Sequence, residues 1–347
     1  MIDLRSDTLT KPTEEMRRAM YIAEVGDDGR TSLQGKGEDP TVNKLEEQAA
    51  KVTGKEDALF CSSGSQANII ALLTHCKRGD AVVIGETSHI NQSEKLPFME
   101  EYYGLNPKFF LTVEYGLPNS ESVNIFLRED KVSLLCLENS NSFESGTCMT
   151  VEQTAAICAL SNRHNVPVHL DGARIFNVAA HYNLPVANLV SSVDSIMFCL
   201  SKGLGAPVGS MLCGSKEFIK RARTIRKLLG GGMRQAGIIA AAGIISIQSN
   251  SKRLIQDNEN AYFLATQLAH NECFKLDLAS IQTNIVTLDI SASGYTSQYF
   301  ESELAKRGLK VKSTSDRHIR MTTYAEIHKR DVVEAAKIIN VFCKSLN

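Results

Sequence analysis

A lysine that follows an apolar run and enters a glycine-rich turn occurs at Lys202, in Phe198-Cys199-Leu200-Ser201-Lys202-Gly203-Leu204-Gly205. Partial desolvation at such a place favours the neutral amine, the form that attacks a carbonyl to make an imine. Asp171 closes an earlier apolar run, 166–170, and leads into Gly172-Ala173-Arg174. Strand-end residues on nearby parallel strands can serve the two ends of one ring, at the carboxyl edge where such sheets bind ligands. A carboxylate on a pyridine nitrogen and a lysine on an aldehyde carbon are what pyridoxal phosphate (PLP) chemistry needs, because a protonated ring is the better electron sink. A third element, Cys61-Ser62-Ser63-Gly64-Ser65-Gln66-Ala67-Asn68, lies between a strand and a helix. Its small residues Ser63, Gly64 and Ser65 let backbone N–H groups and hydroxyls approach a phosphate. In Gly230-Gly231-Gly232-Met233-Arg234-Gln235 three glycines cost backbone entropy, which marks a close approach from which Arg234 can reach an anion. Taken singly, each has a plainer explanation: a surface lysine, a helix-capping Asp, a capping Ser turn, a helix break. Cradle, strand-end Asp and strand-end Lys in that order are jointly far more specific.

These residues need a scaffold, and the chain alternates short apolar runs with amphipathic segments from about residue 56. Strands are expected over 58–60, 81–84, 134–137, 166–170 and 196–199, with Pro167 near a strand start where its missing N–H does least harm. Helices are expected over 66–75, 150–164 and 175–189, the last broken by Asn183 and Pro185. The rhythm predicts an α/β fold with a mostly parallel sheet flanked by helices. After residue 247 the texture changes: helices over 253–269, 298–307 and 331–346 surround strand-like segments at 284–290 and 318–323. The expected division is a large PLP-binding unit, 1–247, whose N-terminal segment contributes to the site, and a small α+β unit, 248–347. Residues 26–41 read as a long loop.

The chain has 347 residues, 43% of them hydrophobic and 22% charged, with a formal net charge of -1. That balance gives no electrostatic case for nucleic acid or an anionic membrane as a partner, and points to a small-molecule substrate. The 9 cysteines form no CxxC pair, and several sit in apolar runs. They read as buried reduced thiols, so a cytoplasmic setting is expected, and no apolar run reaches spanning length. The 8 histidines show no ligand spacing, so no metal is expected.

Together these motifs resemble the low-specificity L-threonine aldolases, in the β-eliminating lyase group of fold-type I PLP-dependent enzymes. The resemblance runs through nearly the whole chain, over residues 2–8, 37–41, 169–176, 199–209 and 229–235. It implies a PLP-dependent transferase-like fold and a homotetramer built as a dimer of dimers with shared active sites. Lys202 would then carry the cofactor as a Schiff base, and Asp171 would pair with the pyridine nitrogen. Arg174 would lie near the phenolic oxygen, and His89 would stack on the ring. Ser63, Gly64 and Ser65 would hold the phosphate, helped by Arg234 from a neighbouring subunit. Ser6 and Arg320, with Arg174 and Asn141 beside them, would bind the amino-acid substrate, an Arg fork suiting its carboxylate. The implied reaction cleaves L-threonine or L-allo-threonine to glycine and acetaldehyde, with Lys202, His89 and Asp171 catalytic.

The chain departs from the family where substrate is expected. Asn141 stands where the family typically has a His, and Asn hydrogen-bonds but is no base near neutral pH. Lys36 replaces a common Tyr, in a longer 29–36 loop, and residues 91–95 also diverge. These departures keep a second reading open: another PLP-dependent lyase, racemase or aldol reaction on a different amino acid. A non-catalytic PLP-binding or interaction protein fits poorly with Lys202, Asp171, Arg174 and Arg320 together. A dinucleotide-binding oxidoreductase fits worse, since no GxGxxG follows the early strands.

Overall fold

The computed structural model describes residues 1–30, 32, 35–143 and 145–346. Its strands, in chain order, begin with β1 (Ile2–Asp3), β2 (Asp57–Cys61), β3 (Ala81–Gly85), β4 (Asn106–Phe110), β5 (Val132–Glu138) and β6 (Val168–Asp171). They continue with β7 (Ser195–Cys199), β8 (Ser210–Gly214), β9 (Ile285–Asp289), β10 (Leu309–Lys310), β11 (Lys312–Ser315) and β12 (His318–Thr322). The main sheet has seven strands in the order β2-β8-β7-β6-β5-β3-β4. β8 runs antiparallel to both of its neighbours, and every other pairing is parallel. Because β8 is flanked on each side by reversed strands, β2 points the same way as β3, β5, β6 and β7. Their carboxyl ends therefore share one edge of the sheet.

The sheet forms where the apolar runs predict it. Every residue of β3 and β7 is buried, the mark of strands covered on both faces. Helix ends follow local chemistry. Thr150 opens the helix Val151–Arg163 with a capping box to Gln153. Asn183 closes Ile175–Tyr182 in the left-handed conformation at φ 51°, and Pro185 starts the short helix Val186–Leu189. The break expected at Asn183 and Pro185 thus lies where the sequence puts it.

A smaller antiparallel sheet, β11-β12-β9, is covered by the helices Leu254–Leu268, Ser297–Lys306 and Lys329–Lys344. It has its own core of Leu264, Leu288, Phe300, Ile319, Ile339 and Phe342. The N-terminus belongs to that core by packing: β1 pairs with β10, and Leu4 is buried among the C-terminal side chains. Leu254 packs in the main core while Ala261 and Leu264 pack in the smaller one, so one helix ties the two. The expected 29–36 departure falls partly on residues 31, 33 and 34, outside the described residues. At its end Lys36 lies 3.5 Å from Glu47. Among the described residues no helix is long and apolar enough to cross a membrane.

Candidate active site

The carboxyl edge of the main sheet collects most of the chemistry. Glu138, Asp171 and Cys199 end β5, β6 and β7, and Glu138 is the register partner of Asp171. Lys202 follows β7 directly, and His89 opens the short helix His89–Ser93 after β3. The helix Gly64–His75 starts just beyond β2.

Asp171 is 2% exposed and is held from both sides. Ala173 N–H donates to its Oδ1 at 3.1 Å, and Asn68 Nδ2 donates to its Oδ2 at 2.9 Å. Behind Asn68 runs a buried chain. His169 Nε2 meets Asn68 Oδ1 at 3.1 Å, and His169 Nδ1 meets Ser195 Oγ at 2.9 Å. His75 Nε2 reaches the same hydroxyl at 2.8 Å. Neutral imidazoles satisfy all of these contacts: His169 donates to Asn68 and accepts from Ser195. Burial pushes His169 down to about 4 and His75 to about 3.

Those two histidines carry a pH prediction. The unfolded chain binds protons near the ordinary His pKa, and the folded chain refuses them until much lower pH. Stability is therefore full above about pH 6.5 and falls as the pH drops below it, by up to roughly 1.4 kcal/mol per pH unit for each imidazole. Urea unfolding at pH 7 and pH 5 checks this: the midpoint should be clearly lower at pH 5, and less so in His169→Asn.

The expected cradle residues sit at the start of the helix Gly64–His75. Ser63 Oγ caps the helix by accepting from Gln66 N–H at 3.1 Å. The Gly64 and Ser65 amides are then the first of the helix, without intrahelical acceptors and aligned with its positive end. A Cβ at Gly64 would come within 3.0 Å of Cys199 Sγ and Met197 Cε, so a larger residue would push the cradle off β7. Ser65 Oγ is already engaged, donating to Glu94 Oε1 at 2.8 Å. Arg234 pairs within the chain with Asp27 at 3.0 Å, on the exposed side of the glycine turn.

Two buried arginines, Arg174 and Arg320, stand among these acids. Arg174 is 6% exposed and forms a two-pronged ion pair with the fully buried Asp7, both bonds 2.7 Å. Asn284 supports Asp7 at 3.1 Å, and Ser142 Oγ accepts from Arg174 at 3.1 Å. Despite its burial, the Arg174 charge and hydrogen bonds, with the Lys202 charge, hold Asp7 at about 2. Next to it in sequence, Ser6 Oγ accepts from Thr8.

Arg320, on β12, is different. It donates to the Ser142 carbonyl at 3.3 Å, its Nε is buried without a partner, and among the described residues it has no carboxylate within ion-pair distance. Burial and the neighbouring Arg174 charge lower it to about 10. A buried guanidinium missing its anion is a place built for one. Asn141, by contrast, spends its side chain locally, on the Gly116 carbonyl at 3.5 Å and the Phe143 N–H at 3.1 Å.

Two carboxylates not singled out from the sequence complete the edge. Glu138 accepts from the His89 and Ser142 N–H groups, both at 2.9 Å, and burial together with the Asp171 charge raises its pKa. Glu94 sits behind His89. The helix-cap residues, the strand-end Asp and the turn Lys lie at or beyond the carboxyl ends of β2, β6 and β7, while Asp7, Asn68, His169, Glu94 and Glu138 emerge only in three dimensions. The set fits PLP: open amides for a phosphate, a buried carboxylate for a ring nitrogen, an amine on the adjoining strand end, and an unpaired guanidinium for a substrate carboxylate.

Comparison with known proteins bears on the family and the fold. A model of the β-eliminating lyase family matches residues 3–291. Low-specificity L-threonine aldolase 1 of Arabidopsis thaliana is 39% identical over 340 residues, covering 95% of this chain and 93% of its own. The low specificity L-threonine aldolase of Escherichia coli K12 is 40% identical over 273 residues, covering 77% of this chain and 79% of its own. Among solved structures, Leishmania major threonine aldolase superposes with a TM-score of 0.81 at 16% identity, covering 99% of this chain and 100% of that one. Sphingomonas wittichii serine palmitoyltransferase superposes with a TM-score of 0.76 at 18% identity, covering 99% and 88%. At such identities the structural likeness speaks for the fold alone.

Proposed function

The chain belongs to the β-eliminating lyase family and is a PLP-dependent lyase; from that premise we propose that it cleaves L-threonine and L-allo-threonine to glycine and acetaldehyde. The observation that carries the reading is Arg320, a buried cation with no carboxylate in ion-pair distance among the described residues, beside an Asp7 that also feels the Lys202 charge. An α-amino acid supplies what the site lacks: a carboxylate for the guanidinium and an amine for the cofactor.

When bound, PLP supplies an aldehyde carbon and an electron-accepting ring that makes the Cα–Cβ bond breakable. Everything else falls to the chain. Lys202 would provide the amine that holds the cofactor's aldehyde carbon. Asp171 keeps a proton at the ring nitrogen. The Gly64 and Ser65 amides, with the Ser63 cap behind them, hold the phosphate, and Arg234 from a second subunit joins them in a homotetramer of tight dimers. Arg174, its charge balanced by Asp7, would face the cofactor's phenolic oxygen. Arg320 and Ser6 hold the substrate carboxylate. His89 moves the proton at the β-hydroxyl, the task a base must do in this site. The cofactor-binding unit falls within residues 1–247 and the smaller one is 248–347, with β1 and Leu4 of the N-terminal segment packing against the latter. All nine cysteines are buried free thiols, which suits a cytoplasmic enzyme.

The second reading, aldol chemistry on a bulkier β-hydroxy amino acid, is favoured by the pocket beside Asn141, which runs past Glu138, Thr147, Met149 and Tyr115. One assay separates the readings: acetaldehyde release from both threonine isomers by the PLP-loaded protein, beside a panel of larger β-hydroxy amino acids. The primary reading expects threonine turnover. Arg320→Lys keeps the charge but loses the fork, and is expected to raise KM so that kcat/KM falls by about 10²-fold, the weight of one buried charged hydrogen-bonded pair. No release from threonine but release of a larger aldehyde would move the assignment to the second reading.

A further inference from the structure

Glu94 is the one acid in the segment 91–95 that turns inward. Gln92, Ser93, Lys95 and Leu96 around it are exposed, yet Glu94 is 1% exposed. A buried carboxylate needs partners, and it has two. Ser65 Oγ donates to it at 2.8 Å, and His89 Nδ1 lies 3.2 Å away. Its position is otherwise unfavourable, since a fixed negative charge beside the first amides of Gly64–His75 opposes the phosphate that those amides attract. What it does for His89 offsets that opposition.

We propose that Glu94 is the positioning residue for His89: by accepting the Nδ1–H it fixes the imidazole tautomer and leaves Nε2 as the nitrogen that takes and returns the substrate proton. The inference rests on the aldolase reading for the identity of that proton, but not for the pairing itself. The logic is that of any carboxylate–histidine pair in which the acid orients the ring and stabilises its charged form. Every charged group facing His89 enters the balance. The Glu94 hydrogen bond and charge raise its pKa, as does Asp171 at the end of β6; burial and Lys202, after β7, lower it, and the net direction is upward. Glu138, at the end of β5, holds the His89 backbone N–H at 2.9 Å and so fixes the base of the side chain. A raised pKa makes the neutral imidazole the stronger base, and Glu94 is the largest contributor to that rise.

The test is a pH titration of 15N-histidine-labelled holoenzyme followed by NMR, with His89→Asn assigning the signal. Glu94→Gln keeps the size and an acceptor for Ser65 but removes the charge. The expected result is a His89 titration at lower pH, with its neutral form shifted away from the Nδ1–H tautomer. In parallel kcat should fall by about 10²-fold, the low end of what a positioned acid–base group contributes, with KM nearly unchanged. The acidic limb of the kcat profile should move to lower pH, and PLP affinity should hold or rise. Glu94→Asp, which keeps the charge on a shorter arm, should recover part of both the titration and the rate. An unchanged His89 titration and tautomer in Glu94→Gln would overturn the proposal, as would a rate loss that merely follows lost PLP. Because the NMR reading involves no amino acid, failure of threonine turnover with a shifted His89 would sink the reaction assigned and leave the Glu94 pairing standing.

Discussion

Replacing Lys202 with alanine is expected to leave a folded protein that has lost at least ~10⁴-fold in kcat, because a residue that forms the covalent link contributes on the scale of a whole catalytic unit. The position allows the experiment to be read cleanly. β7 is buried throughout and ends three residues earlier, so the strand does not depend on the lysine side chain. The turn after it is held by its backbone, with Gly205 N–H bonded to the Lys202 carbonyl at 2.8 Å. Its charge acts on Asp7 and His89, which places the amine among the groups it must serve. The alanine variant should bind PLP reversibly, lose the absorbance of the lysine-linked cofactor, and release no acetaldehyde. Lys202→Arg should fail equally, since a guanidinium is no nucleophile at neutral pH. Undiminished turnover in either variant would remove Lys202 from the reaction.

Much of this site is legible in the chain because its parts lie where secondary structure ends. β6 and β7 are largely apolar runs, so Asp171 and Lys202 announce themselves as the first acid and the first base at or just beyond their ends. The cradle is legible because Ser63 is a capping residue and Gly64 a small one. Other elements gave no such signal. β8 is a five-residue run, Ser-Met-Leu-Cys-Gly, that follows a glycine-rich turn and whose antiparallel direction depends on both neighbours. β4 is an edge strand carrying Pro107 and Lys108, which masks its alternation. The helix Gly237–Gln248 is apolar nearly all round, so it shows no periodic face to read.

The supporting residues were hidden for a different reason: their partners are distant in sequence. Asp7 meets Arg174, and Asn68 meets Asp171 and His169, across more than a hundred positions each. His169 lies inside a motif quoted for its aspartate, yet its role is to hold the asparagine that holds that aspartate. Glu94 looks like one charge in a polar loop until the fold buries it. Residue type and spacing can mark who does chemistry; who orients whom is settled by packing.

That distinction makes Asp171→Asn the second large effect. The substitution preserves volume and one acceptor oxygen, so Ala173 N–H can remain bonded. It removes the charge that would keep a proton on the ring nitrogen, and it sets an amide N–H against Asn68 Nδ2 unless one of them flips. The expected loss in kcat is about 10³-fold, the upper range for one electrostatic group aimed at developing charge. Asn68→Ala should cost only about tenfold, as befits a group that orients another. It leaves the Asp171 charge in place while releasing His169, whose ring then lacks an acceptor for its Nε2–H. Steady-state kinetics on the two variants, each saturated with PLP, compares charge with orientation. If Asp171→Asn fell no further than Asn68→Ala, the carboxylate would be acting only as a hydrogen-bond acceptor. The partner of the ring nitrogen would then have to be sought at Glu138, its register neighbour on β5, whose own burial and raised pKa make it the only other acid at that end of the sheet's central strands among the described residues.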